Sequence, residues 1–484
     1  MSTENNNYVD FHCHSAMKPF GKSFKKNRSK GKNTRKKRRR NSIWKYDPPS
    51  VIDKLLNYTI KLTKFSQANF TSLAKGGVTV VCVSLYPLEK CFFNIDIKSE
   101  FFKDLILNFV TGLGKKRIDA IQSMQDYFED LNLEYDFYKQ LDGKTRLRDG
   151  KFRYKIINNF AEIGAIREQD ELKNVTTICV ILTIEGMHVL NSNADKVPTE
   201  AVIMGNLKKL KAWVTPPFFV SIAHHFKNHL CGHAQSLDKK VEACIDKNCF
   251  DKNTGFKPLG EKVVKELLNN KNGKRILIDV KHMSVASRRY YYDLLETTDD
   301  YKGIPIIVSH GAANGLKSFD EKVSQGSEFA ASFNTGDINF FNEELIKIAK
   351  SKGIFCLQLD ERRVASENTI KKVKHSIIRS KIMHYRSKLL WNQIQHIVEV
   401  LDVQGLPAWD CIALGTDYDG IIDPLNAFWT SEELPYLADF LERHAHNYMR
   451  DASFNVPENK IKTDEIISRI MSTNGMKFIE AYYK

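Results

Sequence analysis

Histidine and carboxylate residues recur at the ends of apolar segments along this 484-residue chain. They are His12, His14, Glu185, His224, His225, His282, His310, Asp417 and Asp419. Imidazole nitrogens and carboxylate oxygens are ligands that zinc prefers, and a zinc ion with an open position lowers the pKa of its bound water towards neutrality. The residue types therefore predict a hydrolytic metal centre.

The pair His12 and His14 has a spacing that suits one metal ion. Side chains alternate across a β-strand, so residues i and i+2 point in the same direction and both imidazoles can reach one ion. A carboxylate such as Glu185 can bridge two ions that lie about 3.5–4 Å apart, with a hydroxide held between them. A single strand-end histidine more often packs in the core, and Asp417 or Asp419 alone would cap a turn. The recurrence of such residues at six strand ends favours the metal centre.

Eight short apolar segments, rich in β-branched residues, must position these groups. They span residues 8–14, 78–86, 176–186, 218–225, 275–284, 304–311, 353–360 and 411–420. Between these segments, apolar residues recur at the spacing of an α-helix. They do so over residues 51–73, 200–211, 260–268, 286–295, 342–350 and 367–401. This alternation predicts an α/β fold, a (β/α)8 barrel of the TIM type, in which all strand ends meet at one face. The alternative, an open doubly wound sheet, would need a glycine-rich phosphate loop after the first strand, and HCHSAMKPFG (12–21) is a poor match.

We expect residues 1–484 to form a single hydrolase barrel that carries three insertions. A basic loop over residues 22–47 follows the first strand, a helical insertion spans residues 100–172, and a loop insertion spans residues 232–258. Insertions that follow barrel strands shape the mouth of the active site, so these segments are expected to lie near the metal centre.

The net charge of +15 suggests nucleic-acid binding, but this charge is local. Residues 22–40 contain twelve Lys or Arg and no acid, which leaves about +3 for the rest of the chain. We interpret this segment as a solvated loop whose field could steer an anionic substrate. Nucleic-acid binding through the basic loop is the less favoured class of function, and it would show a strong salt dependence.

The apolar segments and the cysteines indicate the cellular compartment in which the protein is expected. No segment approaches about 18 consecutive apolar residues, so no membrane partner is expected. The first residues of the chain also lack the apolar core of a signal peptide. The nine cysteines form no CxxC pair, and several lie in apolar runs. They predict buried free thiols, a reducing compartment and a cytoplasmic location.

Five sequence motifs coincide with the strand ends. They are IEGMHVL (184–190), VSIAHH (220–225), LIDVKHMSVAS (277–287), PIIVSHGAAN (305–314) and LGTDYDG (414–420). Together they resemble the amidohydrolase superfamily and, within it, the membrane (renal) dipeptidase family, peptidase family M19. The resemblance implies a metal-dependent, dipeptidase-like hydrolase that cleaves a peptide or amide bond with a metal-bound hydroxide. Hydrolysis of a lactone, a cyclic amide or an acyl-amino acid is the alternative within the superfamily.

The resemblance also implies a role for each strand-end residue. A pair of zinc ions would be held by His12, His14, Glu185, His282 and His310, with Glu185 as the bridge. Asp417 would transfer the proton, and His224 would stabilise the developing oxyanion, with His225 as the alternative substrate contact. The relatives further suggest a dipeptide or other small-molecule substrate and a homodimer.

Two departures from the family pattern bear on metal and substrate binding. Family members have His-x-Asp on the first strand, whereas this chain has His12-x-His14, which replaces an anionic ligand by a neutral one. The family binds the substrate carboxylate with an arginine in the loop after the sixth strand, but residues 311–342 contain no arginine. Arg362 and Arg363, just past the seventh strand, are the candidates to replace it, and we expect Arg362 to contact the substrate.

Overall fold

The computed structural model describes residues 7–24, 42–61, 63–93, 111–145, 151–193, 195, 197–320 and 329–484. Its strands are β1 (Tyr8–Cys13), β2 (Val78–Leu85), β3 (Phe152–Ile156), β4 (Thr176–Glu185), β5 (Phe219–Ser221), β6 (Leu277–Asp279), β7 (Ile307–Gly311), β8 (Ile354–Leu357) and β9 (Ile412–Leu414). The α-helices are Met17–Ser23, Val51–Ile60, Phe70–Lys75, Lys115–Gln122, Tyr127–Lys139, Ala161–Lys173, Glu200–Lys211, Lys239–Glu242, Pro258–Leu268, Val285–Thr297, Asn342–Lys350, Glu361–Val364, Glu367–Lys372, Arg379–Val403, Leu434–Asp451, Thr463–Ser468 and Asn474–Tyr482.

The sheet is parallel and nearly closes on itself. Its strands follow the order β1, β2, β4, β5, β6, β7, β8, β9. Beyond β9 the chain returns to β1, because the amide of Asp417 donates to the carbonyl of His12 at 2.9 Å and the amide of His14 donates to the carbonyl of Tyr418 at 2.8 Å. The eight predicted strands are all present, and the prediction of a (β/α)8 barrel is confirmed.

A ninth strand lies within the insertion at residues 100–172. β3 pairs in parallel with the first half of β4, from Phe152 opposite Thr176 to Ile156 opposite Val180. It occupies the edge of β4 that β5 leaves free, since β5 pairs only with Ile184 and Glu185. The sequence of β3, FRYKI, alternates apolar and basic residues over only five positions. That signal is too short to separate from the helical pattern around it, which is why the strand was not predicted.

The predicted helix over residues 51–73 is in fact two helices. The first begins at a capping box formed by Ser50 and Asp53, and it ends where Lys61 adopts a left-handed φ of 57°. The second begins where the Asn69 side chain accepts from the amide of Ser72. The predicted helix over residues 367–401 is likewise divided, into Glu367–Lys372 and Arg379–Val403, whereas Glu200–Lys211 and Asn342–Lys350 have the predicted bounds.

The barrel strands are buried on both of their faces. Phe11 of β1, Val81 of β2, Ile181 of β4, Val220 of β5 and Phe355 of β8 are fully buried in one hydrophobic cluster. Each such side chain contributes about 1.5–3 kcal/mol to folding, so the strand ends rest on a rigid support. In the part of the chain that the structure describes, no helix is both long enough and apolar enough to cross a bilayer.

The cysteines differ in part from the prediction. Six are buried free thiols (Cys13, Cys82, Cys179, Cys231, Cys356 and Cys411) and Cys244 is an exposed one. Cys91 and Cys249, which are 158 positions apart, form a disulfide. The prediction that all nine are free thiols is therefore wrong for this pair. The pairing has no local motif, because the barrel brings together the loop after β2 and the insertion after β5.

Candidate metal centre

Five of the predicted ligands converge at the carboxyl ends of the strands. His12 and His14 lie at the end of β1, Glu185 ends β4, His282 follows β6 and His310 lies in β7. The Nε2 atoms of His12 and His14 are 3.2 Å apart, and so are those of His282 and His310. Cys13, between the first two histidines, turns its thiol to Ser15 at 3.3 Å, as strand alternation requires.

The Glu185 carboxylate lies between the two histidine pairs. Its Oε2 is 3.0 Å from Nε2 of His14, while its Oε1 is 3.0 Å from Nε2 of His282 and 3.3 Å from Nε2 of His310. Ligands of a tetrahedral zinc ion, with bonds of about 2.0–2.1 Å, lie about 3.3 Å from one another. Oxygen and nitrogen donors at these spacings could hold divalent metal ions.

Of the two candidate aspartates, Asp417 faces the centre and Asp419 does not. Asp417 Oδ1 is 3.9 Å from Nε2 of His12 and 3.8 Å from Nε2 of His14. Asp419 instead accepts from Lys18 Nζ at 2.9 Å and from the backbone amides of Gln67 and Ala68. It anchors the segment that divides the two helices before β2, so its role is structural.

Backbone strain marks two residues of the centre. His282 and Asp417 have φ values of +66° and +60°, in the left-handed region that residues other than glycine seldom adopt. Such conformations cost of order 1–3 kcal/mol each and persist where the surrounding structure enforces them, typically at functional sites. The two side chains are thereby directed to the centre from turns that follow β6 and β9.

His224 is held by a carboxylate that was not predicted. Its Nδ1 lies 2.6 Å from Oε2 of Glu89, which also accepts from the Tyr86 hydroxyl at 3.0 Å. With Nδ1 engaged, its Nε2 is directed to the centre and lies 3.6 Å from Glu185 Oε2. His225 bonds instead to Ser236 Oγ through Nδ1, at 2.5 Å, with its ring centroid 5.1 Å from that of His282.

A second layer of polar groups orients the imidazoles. Ser309 Oγ lies 3.2 Å from Nδ1 of His12 and 2.9 Å from Nδ1 of His310, and it donates its proton to Asp279 Oδ2 at 2.6 Å. Because a hydroxyl has one proton, Ser309 must accept from both rings. His14 Nδ1 lies 3.1 Å from a backbone carbonyl, that of Ser84. The Nδ1 atoms of these three rings carry protons, and their Nε2 atoms face the centre.

Burial sets the charge state of most of the histidines. It lowers the pKa of His12 to about 4 and holds the pKa values of His282 and His310 well below the usual value. Burial also lowers the pKa of His14, but the hydrogen bond and charge of Glu185 outweigh it and raise that pKa to about 9. Three rings are therefore neutral at pH 7, as metal ligands must be, and an ion that binds His14 would displace a proton.

Three cations lie near the centre. Arg362 donates through Nε and Nη2 to Asp360, at 2.9 Å and 2.6 Å, so its guanidinium is engaged by a protein carboxylate. Arg363 donates through Nη2 to the carbonyl of Ser236. Lys281, next to His282, is buried, and its Nζ has no hydrogen-bond partner among the described residues. The prediction that Arg362 contacts the substrate stays untested, and its pairing with Asp360 argues against it.

Residues 25–41, most of the basic segment, lie outside the described part of the chain.

A parallel barrel whose strand ends bring four histidines and a glutamate together is the architecture of a metal-dependent hydrolase. Residues 45–451 match the family described as membrane dipeptidase, peptidase family M19. The chain belongs to this family and is a metal-dependent, dipeptidase-like hydrolase acting on a small-molecule substrate. His12 and His14 precede the matched region, so the barrel rather than the family match places them at the centre.

Three solved structures are similar to this chain over most of its length. Dipeptidase AC, a metallopeptidase of family M19, has a TM-score of 0.50 and 11% identity, over 99% of both chains. A metallopeptidase from Rhodobacter sphaeroides has a TM-score of 0.48 and 11% identity, over 98% of this chain and 99% of that chain. An amidohydrolase from Pseudomonas aeruginosa has a TM-score of 0.44 and 14% identity, over 86% of this chain and 92% of that chain. Comparison with curated proteins gives no significant sequence match.

Proposed function

We propose that this enzyme binds two zinc ions and hydrolyses dipeptides. The observation that carries the proposal is the Glu185 carboxylate, whose oxygens lie 3.0 Å from His14 Nε2 on one side and 3.0 Å from His282 Nε2 on the other. His12 and His14 would hold one ion, His282 and His310 the other, and Glu185 would bridge them. Bound divalent ions polarise the scissile carbonyl and lower the pKa of the attacking water.

We assign the proton transfer to Asp417. Its side chain is 13% exposed, whereas those of the five ligands are at most 5% exposed, so it borders the space that a substrate would enter. Burial and the charge of Glu185 raise the pKa of Asp417 well above its usual value, which makes its carboxylate a better base. Asp417 takes a proton from the attacking water at Oδ1 and passes it to the leaving amine nitrogen.

We assign to His224 the stabilisation of the charge that develops on the carbonyl oxygen. Glu89 engages Nδ1 of this ring at 2.6 Å, which leaves Nε2 facing the centre. A protonated Nε2 would donate to the oxyanion of the tetrahedral intermediate, and the Glu89 carboxylate would offset the positive charge of the ring. A preorganised donor of this kind is worth about 10²–10³ in kcat.

The test is to measure zinc per chain and dipeptide hydrolysis for the wild type and Glu185→Gln. The variant keeps the shape of the side chain but loses the charge that two ions would share. We expect two zinc ions in the wild type, loss of at least one in the variant, and a fall in kcat/KM of more than about 100-fold, because changes in the second layer alone cost about 10- to 100-fold.

Glu134→Gln is the matched control. Glu134 is also buried near the centre, but it accepts from the Tyr86 amide and lies outside the donor set. It should retain both ions and most of the activity. A Glu185→Gln protein that keeps its zinc and its activity would overturn the proposal. Lactone, cyclic-amide and acyl-amino-acid substrates in the same assay would reveal the alternative hydrolase reactions.

A further inference from the structure

The helix Val51–Ile60 presents its apolar side to the solvent. Its polar Asn57 is buried and donates to Asp423 Oδ1 at 3.3 Å. On the other side of the helix, four large side chains are between 49% and 82% exposed, namely Val51, Ile52, Leu55 and Tyr58. At the helical period these four positions fall within one stripe about 120° wide, which is the stripe that a surface helix normally packs on the core.

A second exposed apolar pair lies beside this helix. Ile377 is fully exposed and Ile378 is half-exposed. The hydroxyl of Tyr58 lies 2.9 Å from Nδ1 of His375, so the segment that holds both isoleucines adjoins the helix. Residues 51–58 and 371–381 thus form one surface, which we call the apolar-basic surface. Exposed apolar patches on a folded protein mark contacts with another protein or with a membrane.

The apolar-basic surface is also strongly cationic. Residues 371–381 contain no acid and five exposed cations, which are Lys371, Lys372, Lys374, Arg379 and Lys381. Residues 51–58 add one cation, Lys54, and one acid, Asp53, so the surface carries a net charge of +5. Lys371 pairs with Glu367 and Arg379 with Glu433, but ion pairs at such exposed positions contribute little. Its partner must therefore accept both apolar side chains and positive charge.

This combination favours a lipid surface over the other possible partners. A second copy of the chain would place the same cations opposite one another, because a twofold interface is built from the same patch of both subunits. The phosphates of a nucleic acid would engage the cations but offer nothing to the aliphatic side chains. An anionic bilayer satisfies both, because apolar side chains enter the boundary of the acyl chains while Lys and Arg stay at the headgroups.

We propose that the apolar-basic surface binds the surface of a bilayer that contains anionic phospholipids. The inference goes beyond hydrolysis at the metal centre and does not depend on it. The contact is peripheral: it needs no helix that crosses the bilayer, and it would replace the expectation that the chain has no membrane partner. Asn57 ties the helix to Asp423, which lies six residues beyond Asp417 in the chain. The bilayer would therefore lie on the side of the barrel that carries the metal centre.

Co-sedimentation of the full-length protein with lipid vesicles tests the proposal. The partition coefficient is measured on vesicles of phosphatidylcholine and phosphatidylserine in equal amounts, and on vesicles of phosphatidylcholine alone. We expect partitioning to be at least about 100-fold stronger on the anionic vesicles, because each Lys or Arg near an anionic surface contributes about fivefold. Leu55→Gln and Ile377→Gln should each weaken partitioning by about tenfold, which is the order of effect that burial of one aliphatic side chain has.

Leu172→Gln is the matched control. Leu172 is 89% exposed on the helix Ala161–Lys173, outside the apolar-basic surface, so this variant should partition as the wild type does. Because Leu55 and Ile377 are also exposed, their variants should fold normally, and an unchanged midpoint of denaturant unfolding would verify this.

Other partners would give different results. If the double variant Leu55→Gln/Ile377→Gln partitions as well as the wild type, lipid binding belongs to the basic segment 22–40 alone and the proposal is overturned. A wild type that does not partition onto anionic vesicles would also overturn it. In that case, a dimer in light scattering that the double variant loses would assign the surface to a second copy. Binding to duplex DNA that the double variant loses would instead assign it to nucleic acid.

Discussion

We predict that the single hydroxyl of Ser309 supports both metal positions. Its Oγ accepts from Nδ1 of His12 at 3.2 Å and of His310 at 2.9 Å, and these rings belong to different ligand pairs. Asp279 holds that hydroxyl through the bond at 2.6 Å. In Ser309→Ala both rings lose their acceptor at once, so both metal positions should weaken together.

The magnitude follows from the two bonds that are lost. Removing an outer-layer partner of a metal-binding histidine typically lowers metal affinity by about 10- to 100-fold, or about 1.4–2.8 kcal/mol. Because the variant removes one such partner from each pair, we expect the dissociation constant of each zinc ion to rise by about that factor. The fold should survive, since the substitution deletes a single buried oxygen and creates only a small cavity.

Competition with a chromogenic chelator measures both dissociation constants in one titration. Ser192→Ala is the matched control, because Ser192 is equally buried but its hydroxyl donates to the Met187 carbonyl, outside the donor set. A Ser309→Ala protein in which only one ion weakens would refute the shared acceptor. Unchanged binding of both ions would refute the orienting role altogether.

Two further predictions concern Glu89 and His396. Glu89→Gln keeps an acceptor for His224 Nδ1 but removes the charge, so kcat should fall about 10- to 100-fold while zinc content stays constant, and an unchanged kcat would contradict the role given to this pair. His396 is fully buried, donates from Nε2 to Asn342 Oδ1 at 2.8 Å, and has its pKa lowered by burial to about 4. As the pH falls from about 6.5 to 4, His396 takes up a proton in the unfolded chain but not in the folded protein. The free energy of unfolding therefore decreases by about 3 kcal/mol relative to its value above pH 6.5. Denaturant unfolding across this range should show a smaller loss for His396→Gln, and equal losses in both proteins would exclude the assignment.

The sequence was sufficient to predict the barrel and the convergence of the ligand residues. The barrel strands are apolar segments that end in polar residues, and a closed parallel barrel leaves one face for all those ends. The positions of His12, Glu185 and His310 could therefore be predicted together, although they are far apart in the chain. Strand alternation was enough to direct His12 and His14 towards one point, with Cys13 turned away.

Features that depend on the path of loops were not predictable in this way. Glu89 lies four residues beyond β2, and no spacing rule links it to His224, which it contacts. Whether Arg362 or Arg363 is free to contact the substrate depends on which guanidinium Asp360 engages. That in turn depends on the direction of the side chains within a single turn. The Cys91–Cys249 disulfide likewise arises from two loops that meet only after the barrel has closed.

The exchange of an aspartate for His14 raises the question of how the charge of two dications would be balanced. Glu185 and Asp417 are the carboxylates nearest the ligand nitrogens, and they alone would leave a large positive excess. Further acids lie one layer out: Asp279 supports His12 and His310 through Ser309, and Glu89 supports His224. Burial raises the pKa of Asp279 to about 6, and a nearby cation favours the ionised form of such a carboxyl. Negative charge lost from the ligand layer can thus be supplied by the layer behind it, which makes Asp279 and Glu89 as important to this centre as the imidazoles that they orient.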